Sequence, residues 1–248
     1  MIKPFLSANW KMNKTISETE NFLKELLPLV KEISDRNIII APPFTSLYKA
    51  SEILKDTNIM LAAQDVFYED KGAYTGEISP SMLIDVNCKY VIIGHSERRK
   101  YFHEDDEIIN KKIRASQKAG LGVIFCIGET LDEREKNMTF DILNRQIERG
   151  LVNVEPNNLI IAYEPVWAIG TGKTATINQI LEAHKYIRNK LEILFGNNFE
   201  DSCIIYGGSV TPENIDSLMA CEEINGVLVG GASLKVESFF RIINFRKV

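Results

Sequence analysis

Eight short apolar runs punctuate the chain: Phe5 to Ala8, Ile38 to Ala41, Ile59 to Ala63, Tyr90 to Ile93, Val123 to Ile127, Leu159 to Tyr163, Cys203 to Tyr206 and Val227 to Val229. Each is continuous rather than alternating, as in a strand covered on both faces. Between them lie segments with helical signals. Ser17 with Glu20 reads as a capping box before Phe22, Leu23, Leu26 and Leu27, and Pro28 is expected to kink or stop that helix. Ser79-Pro80 reads as an N-cap with proline in the first turn, Ile108 to Ala119 ends at Gly120, and Thr139 to Arg149 ends at Gly150. Thr176 caps a helix carrying Ile177, Ile180, Leu181 and Ile187, Pro212 opens a short helix, and Phe239, Phe240, Ile242 and Ile243 belong to the last one.

The runs recur about every 31 residues, roughly one strand-helix unit. Helices alternating with buried strands predict an α/β fold with a parallel sheet, and eight units close most economically into a (β/α)8 barrel. A doubly wound open sheet shares the pattern, because repeats do not show closure. At 248 residues, with no linker or low-complexity break, the expectation is a single barrel domain over residues 1–248.

Composition narrows the function. No segment approaches the roughly 18 apolar residues of a membrane span, and the N-terminus has no long apolar h-region, so no membrane role or export is expected. Cys88, Cys126, Cys203 and Cys221 are scattered and contain no C-x-x-C pair, which suits reduced thiols in the cytoplasm. A net charge of -5 argues against a nucleic-acid surface but leaves room for a small anion held by local dipoles.

In such a barrel the C-terminal strand ends form the site. After the first run come Asn9 and Lys11; after the fourth come His95, Ser96 and Glu97; after the sixth comes Glu164. Pro165 restrains Glu164 toward extended backbone, while Gly170, Thr171 and Gly172 supply permissive backbone further on, so Pro165 to Ala175 reads as a lid with a stiff near hinge. After the seventh and eighth runs come Gly207-Gly208-Ser209 and Gly230-Gly231, which let backbone N–H groups approach an anion and favour a phosphorylated ligand.

The motifs SANWKMN (Ser7 to Asn13), AQDVFYEDKGAYTGEIS (Ala63 to Ser79), IIGHSERR (Ile92 to Arg99), CIGETLDER (Cys126 to Arg134), AYEPVWAIGTGKTAT (Ala162 to Thr176), YGGSV (Tyr206 to Val210) and VGGASL (Val229 to Leu234) resemble the triosephosphate isomerase family over the whole chain. His103 and Asp65 depart from that family, which often has Gly and Asn there. The resemblance implies interconversion of dihydroxyacetone phosphate and D-glyceraldehyde 3-phosphate through an enediol(ate), in glycolysis and gluconeogenesis. It assigns Glu164 as the base and His95 as a neutral electrophile, and the family is a standard illustration of both that histidine and the closing loop. Lys11 then supplies positive charge, Asn9 positions substrate, and backbone N–H groups of Gly170, Ser209, Gly230 and Gly231 hold the phosphate. Ser96, Glu97 and Cys126 are support residues, with Glu97 partnering Lys11 or Ser96 and Cys126 packing behind Glu164. Trp167 is expected to reach Glu129 when the lid is open. No cofactor or metal is implied. The partners are a phosphorylated triose and a second copy of the chain, docked through the loop Gln64 to Ser79, whose tip near Thr75 would insert beside Asn9, Lys11 and Met12 of the other subunit. Other chemistries for the same residues are an aldolase with Lys11 as Schiff-base amine, a metal-dependent epimerase, and a non-enzymatic scaffold.

Overall fold

A computed structural model describes residues 3–170, 173–196 and 203–246; Thr171 and Gly172 of the expected lid lie outside these. The strands are β1 (Phe5–Asn9), β2 (Asn37–Ala41), β3 (Ile59–Ala63), β4 (Tyr90–Ile93), β5 (Gly122–Ile127), β6 (Leu159–Tyr163), β7 (Cys203–Tyr206) and β8 (Gly226–Val229). They pair in parallel in chain order and form a closed barrel. Closure is made by β8 pairing back onto β1, with Phe5 opposite Gly226 and Ala8 opposite Val229. The open-sheet alternative is thereby excluded.

The strands are apolar on both faces because each face has its own core. Phe5, Ile39, Ala62, Ile92, Ile124, Cys126, Ile160, Ala162, Cys203, Ile205 and Leu228 share one buried cluster inside the barrel. Their neighbours along each strand, such as Leu6, Ile40, Leu61, Val123, Phe125 and Ile161, join the helices in the outer cluster. The period-two geometry of a strand divides them, and the same parity decides which strand-end residues enter the barrel mouth.

Ten helices are found among the described residues: α1 (Ile16–Val30), α2 (Phe44–Leu54), α3 (Pro80–Asp85), α4 (Ser96–Tyr101), α5 (Asp106–Lys118), α6 (Leu131–Glu135), α7 (Thr139–Gly150), α8 (Ile177–Phe195), α9 (Ile215–Met219) and α10 (Val236–Ile243). Several boundaries correct the sequence expectation. The first capping box is Thr15 with Glu18, not Ser17 with Glu20. Helix α1 also runs through Pro28 to Val30. Pro28 is on the exposed face in the last turn, so the carbonyl it leaves without an N–H partner can be met by water. Helix α5 starts at Asp106 with Asp105 as its cap. Pro212 lies in a turn ahead of α9, where the Asn214 side chain accepts the Thr211 N–H at 2.8 Å. The caps at Ser79 and Thr176 match the expectation.

Helix α8 buries His184 against Tyr163 of β6, the two rings edge to face at 5.9 Å. His184 Nδ1 lies 3.0 Å from the Glu223 carbonyl, which requires Nδ1–H as donor and leaves Nε2 without a partner. Burial pushes its pKa down from 6.5 to about 4. The unfolded chain therefore binds a proton between these values that the fold rejects, and the stability from neutral His184 is present above pH 6.5 and lost as pH falls toward 4. That shift corresponds to about 3 kcal/mol. Denaturant titrations across this window should show stability falling with acid, and His184→Gln should flatten the slope; an unchanged slope would remove His184 as its source.

Candidate active site

In β1, Phe5 faces the barrel interior, and the period of two carries Ser7 and Asn9 the same way. Beyond Asn9 the backbone turns through Lys11 at φ 53°, an uncommon conformation for a long side chain. It is braced twice: the Lys11 N–H donates to Asn9 Oδ1 at 3.0 Å, and Gln64 Nε2 donates to the Lys11 carbonyl at 2.9 Å. Gln64 also donates to the Ala41 carbonyl, tying the ends of β1, β2 and β3 together. Lys11 Nζ reaches Glu97 Oε1 at 2.6 Å. In the sequence Gln64 is marked only as the start of a loop. It stands directly after the third apolar run, the position that marked Asn9 and Glu164, and shares their inward parity two residues beyond Ala62.

His95 follows Gly94 and caps α4, its Nδ1 accepting the Glu97 N–H at 3.2 Å. In the neutral ring this leaves the proton on Nε2, which points at Glu164 with Oε1 3.2 Å away. The other carboxylate oxygen accepts the Ser96 N–H at 3.2 Å. Glu164 is 2% exposed, at the inward parity of β6 after Ile160 and Ala162. Its backbone N–H donates to Ile127 O at 2.7 Å. Cys126 is buried beside it, and burial together with the Glu164 charge raises the thiol well above its usual pKa, so it stays protonated and inert as a nucleophile.

Two glycines make room for this carboxylate. A Cβ on Gly128 would lie 1.8 Å from the Glu164 carbonyl, and one on Gly207 would lie 2.8 Å from its Cγ. Gln146 clamps the Gly128 peptide from the far side, accepting its N–H at 2.8 Å and donating to its carbonyl at 3.2 Å. Gly128 stands in the sequence only as part of the CIGETLDER motif and Gln146 carries no signal there, because both act on backbone and not on the substrate cavity.

Asn9, Lys11, His95 and Glu164 share a cavity of about 330 Å³ with Gly170, Ser209, Gly230 and Gly231. All eight expected cavity residues thus converge, with Ser96, Glu97 and Cys126 in contact with them. Asn214 holds the β7 loop by donating to the Ser209 carbonyl at 3.0 Å. A larger cleft of about 540 Å³ lies behind, bordered by Ser96, Arg99, Gly128 and Val166, and contains none of the ionisable cavity residues, so size does not mark the site. Among the described residues no group of three or more His, Cys, Asp or Glu side chains is placed to hold a metal ion.

The lid segment begins as a short turn over Val166–Ala168. Trp167 Nε1 donates to Glu129 Oε1 at 2.9 Å, the contact expected of it. Glu129 is fully buried and further held by Arg134 at 3.0 Å and by the Tyr163 hydroxyl at 3.1 Å, partners that the sequence did not reveal. Burial and the Glu129 charge raise Tyr163 well above its usual pKa, so it stays a donor.

Comparison with known proteins agrees with this geometry. Residues 4–246 match a family model described as triosephosphate isomerase. The chain is 54% identical over 246 residues to the triosephosphate isomerase of Thermodesulfovibrio yellowstonii, covering 99% of this chain and 100% of that one. It is 55% identical over 249 residues to that of Geotalea uraniireducens, with 99% of each chain covered. A crystal structure of triosephosphate isomerase from Bartonella henselae superposes with a TM-score of 0.91 at 39% identity, over 98% of both chains.

Proposed function

The chain belongs to the triosephosphate isomerase family and interconverts dihydroxyacetone phosphate and D-glyceraldehyde 3-phosphate, a step of glycolysis, and we propose a division of labour among its site residues. Glu164 is the base. It takes a proton from the carbon beside the carbonyl and returns one to the neighbouring carbon, so the substrate is isomerised with no net gain or loss of atoms. The observation that carries this reading is the buried Glu164 carboxylate 3.2 Å from His95 Nε2, in the same cavity as Lys11.

Bound substrate takes the place of that carboxylate as partner of the His95 N–H, which then polarises the two substrate oxygens in turn. The Lys11 ammonium stands where negative charge develops on the enediolate, and Asn9 adds a hydrogen bond that orients the substrate. Backbone N–H groups of Gly170, Ser209, Gly230 and Gly231 cradle the phosphate. The ion pair of Lys11 with Glu97 at 2.6 Å favours this role over a Schiff-base amine, which must be neutral to attack. Coupled assays started from each triose phosphate, with and without chelator, test the reading: turnover in both directions unaffected by chelator is expected, and chelator-sensitive turnover would overturn it.

Several wider properties belong to the same proposal. Residues 1–248 act as one domain, since the strands of a single barrel span the chain. The four free cysteines suit the cytoplasm, and no helix among the described residues is long and apolar enough to cross a membrane. A second copy docks through the loop Gln64 to Ser79. The apolar residues of this loop, Val66, Phe67, Tyr68 and Tyr74, would read from the sequence as surface for a second subunit, but Val66 is buried and Phe67 is half-buried between Tyr68 and Tyr74. Still, Met12 after β1 is 95% exposed, and Tyr48, Tyr74, Met82, Tyr101 and Phe102 are exposed on the segments following β2, β3 and β4, surface that a monomer leaves wet. Sedimentation at micromolar concentration should give a dimer; a fully active monomer would contradict it.

A further inference from the structure

We propose that Arg99 is a positioning residue for the isomerisation, its guanidinium locking the end of β4, which leads into His95, against the end of β5, which packs beside Glu164. The last backbone pair between β4 and β5 is Ile93 with Phe125, so one residue later Gly94 and Cys126 are no longer paired with each other, although Cys126 stays paired with Ala162 of β6. These are the residues immediately before His95 and packed beside Glu164. At that point the sheet no longer fixes the end of β4 against the end of β5.

The Arg99 fork spans this gap. Nε donates to the Gly94 carbonyl at 2.9 Å, and one terminal nitrogen donates to the Cys126 carbonyl at 3.4 Å. The other terminal nitrogen is bound to Asp106 Oδ1 at 2.6 Å, and Asp106 is itself buried and approached by Arg145 at 3.4 Å. The guanidinium thus has an anchor on α5 and two carbonyl ligands on neighbouring strand ends. A planar group with donors in fixed directions sets the distance between its acceptors, which a single ammonium cannot do.

The geometry around Gly94 shows how tight the joint is. Gly94 has φ 76°, and an added Cβ would come 3.1 Å from the Cys126 carbonyl and 3.3 Å from the Arg99 terminal nitrogen. Arg99 lies one turn into α4 and its own N–H returns to the His95 carbonyl at 3.2 Å, so segment 94–99 is closed on itself before it is joined to β5. A shift of Arg99 is therefore passed to the His95 ring on one side and to the wall behind Glu164 on the other. None of its polar contacts is to the substrate cavity.

The inference rests on the assignment of Glu164 and His95 given above, and the test separates the two. In the intact protein, Arg99→Gln should lower kcat by about 10- to 100-fold, the scale of a misplacement near 1 Å, with KM for dihydroxyacetone phosphate changed by less than about 3-fold. Arg99→Lys keeps the charge and loses the fork, so it should recover only part of that loss, and the ring ¹⁵N signals of His95 should shift in both variants. Thermal unfolding establishes that each protein is folded at the assay temperature; if Arg99→Gln is not, Arg99→Lys alone decides. Wild-type kcat with unmoved His95 signals, or a loss confined to KM, would overturn the proposal. Glu164→Asp measured alongside distinguishes the failures: a normal loss there with unaffected Arg99 variants faults only the role of Arg99, whereas wild-type kcat in Glu164→Asp faults the base itself.

Discussion

Glu164→Asp is expected to lower kcat by about 10²-fold while leaving KM within a small factor, because it keeps the charge and withdraws it by roughly one bond length, near the 1 Å scale at which placement controls rate. The cavity is moulded to the longer side chain: Gly207 offers only 2.8 Å between a hypothetical Cβ and Glu164 Cγ, so the wall cannot be relied on to push a shorter carboxylate forward. Ser96 N–H and His95 Nε2, each 3.2 Å from a Glu164 oxygen, would have to follow the retracted group to keep their contacts. The phosphate-facing loops are untouched, which is why binding should survive. Steady-state kinetics in both directions measure the effect. An enzyme that kept full kcat would place the base elsewhere.

Deleting Ile169 to Gly172 should divert the reaction. An enediolate phosphate open to water expels phosphate and yields methylglyoxal instead of being reprotonated, so the covering segment has a chemical task as well as a binding one. The near part of the lid is firmly seated: Ala168 is fully buried, and Trp167 is bonded to Glu129, which is itself held by Tyr163 and Arg134. Gly170, by contrast, is exposed and lines the cavity, which makes it the part that meets the ligand. The barrel should stay folded in the deletion variant, isomerisation should fall, and the ratio of released phosphate to isomerised product in single turnovers should rise. A folded variant with an unchanged ratio would remove the lid from the mechanism.

What was readable without coordinates follows from what each signal depends on. The eight strands were placed within about one residue of their observed ends because a strand buried on both faces needs consecutive apolar residues, a purely local requirement. Asn9, Lys11, His95 and Glu164 stood out for the complementary reason, as polar residues set directly after such runs. Helix starts were less determinate. Ser17 with Glu20 and Thr15 with Glu18 have the same spacing and equally suitable side chains, and only the second pair closes a box. Pro28 was over-read, since its cost depends on whether the freed carbonyl is wet, and that is settled by which face of α1 packs inward.

Closure of the sheet was expected from the eight units and the family resemblance but not shown by the repeats, because the pairing of β8 with β1 joins the two ends of the chain and leaves no mark in either run. The contacts that support the site were out of reach. Gln64 on the Lys11 carbonyl, Gln146 on the Gly128 peptide and Arg99 on the Cys126 carbonyl each grip a backbone group distant in the chain. Every residue carries such a backbone group, so nothing in the partner's identity betrays the contact. The sequence by itself determined the elements, their order and the chemistry at their ends, all of which rest on side-chain type and short spacing. The tertiary structure alone decided the closure and which distant peptides hold that chemistry still, because both are set by the path of the backbone in space.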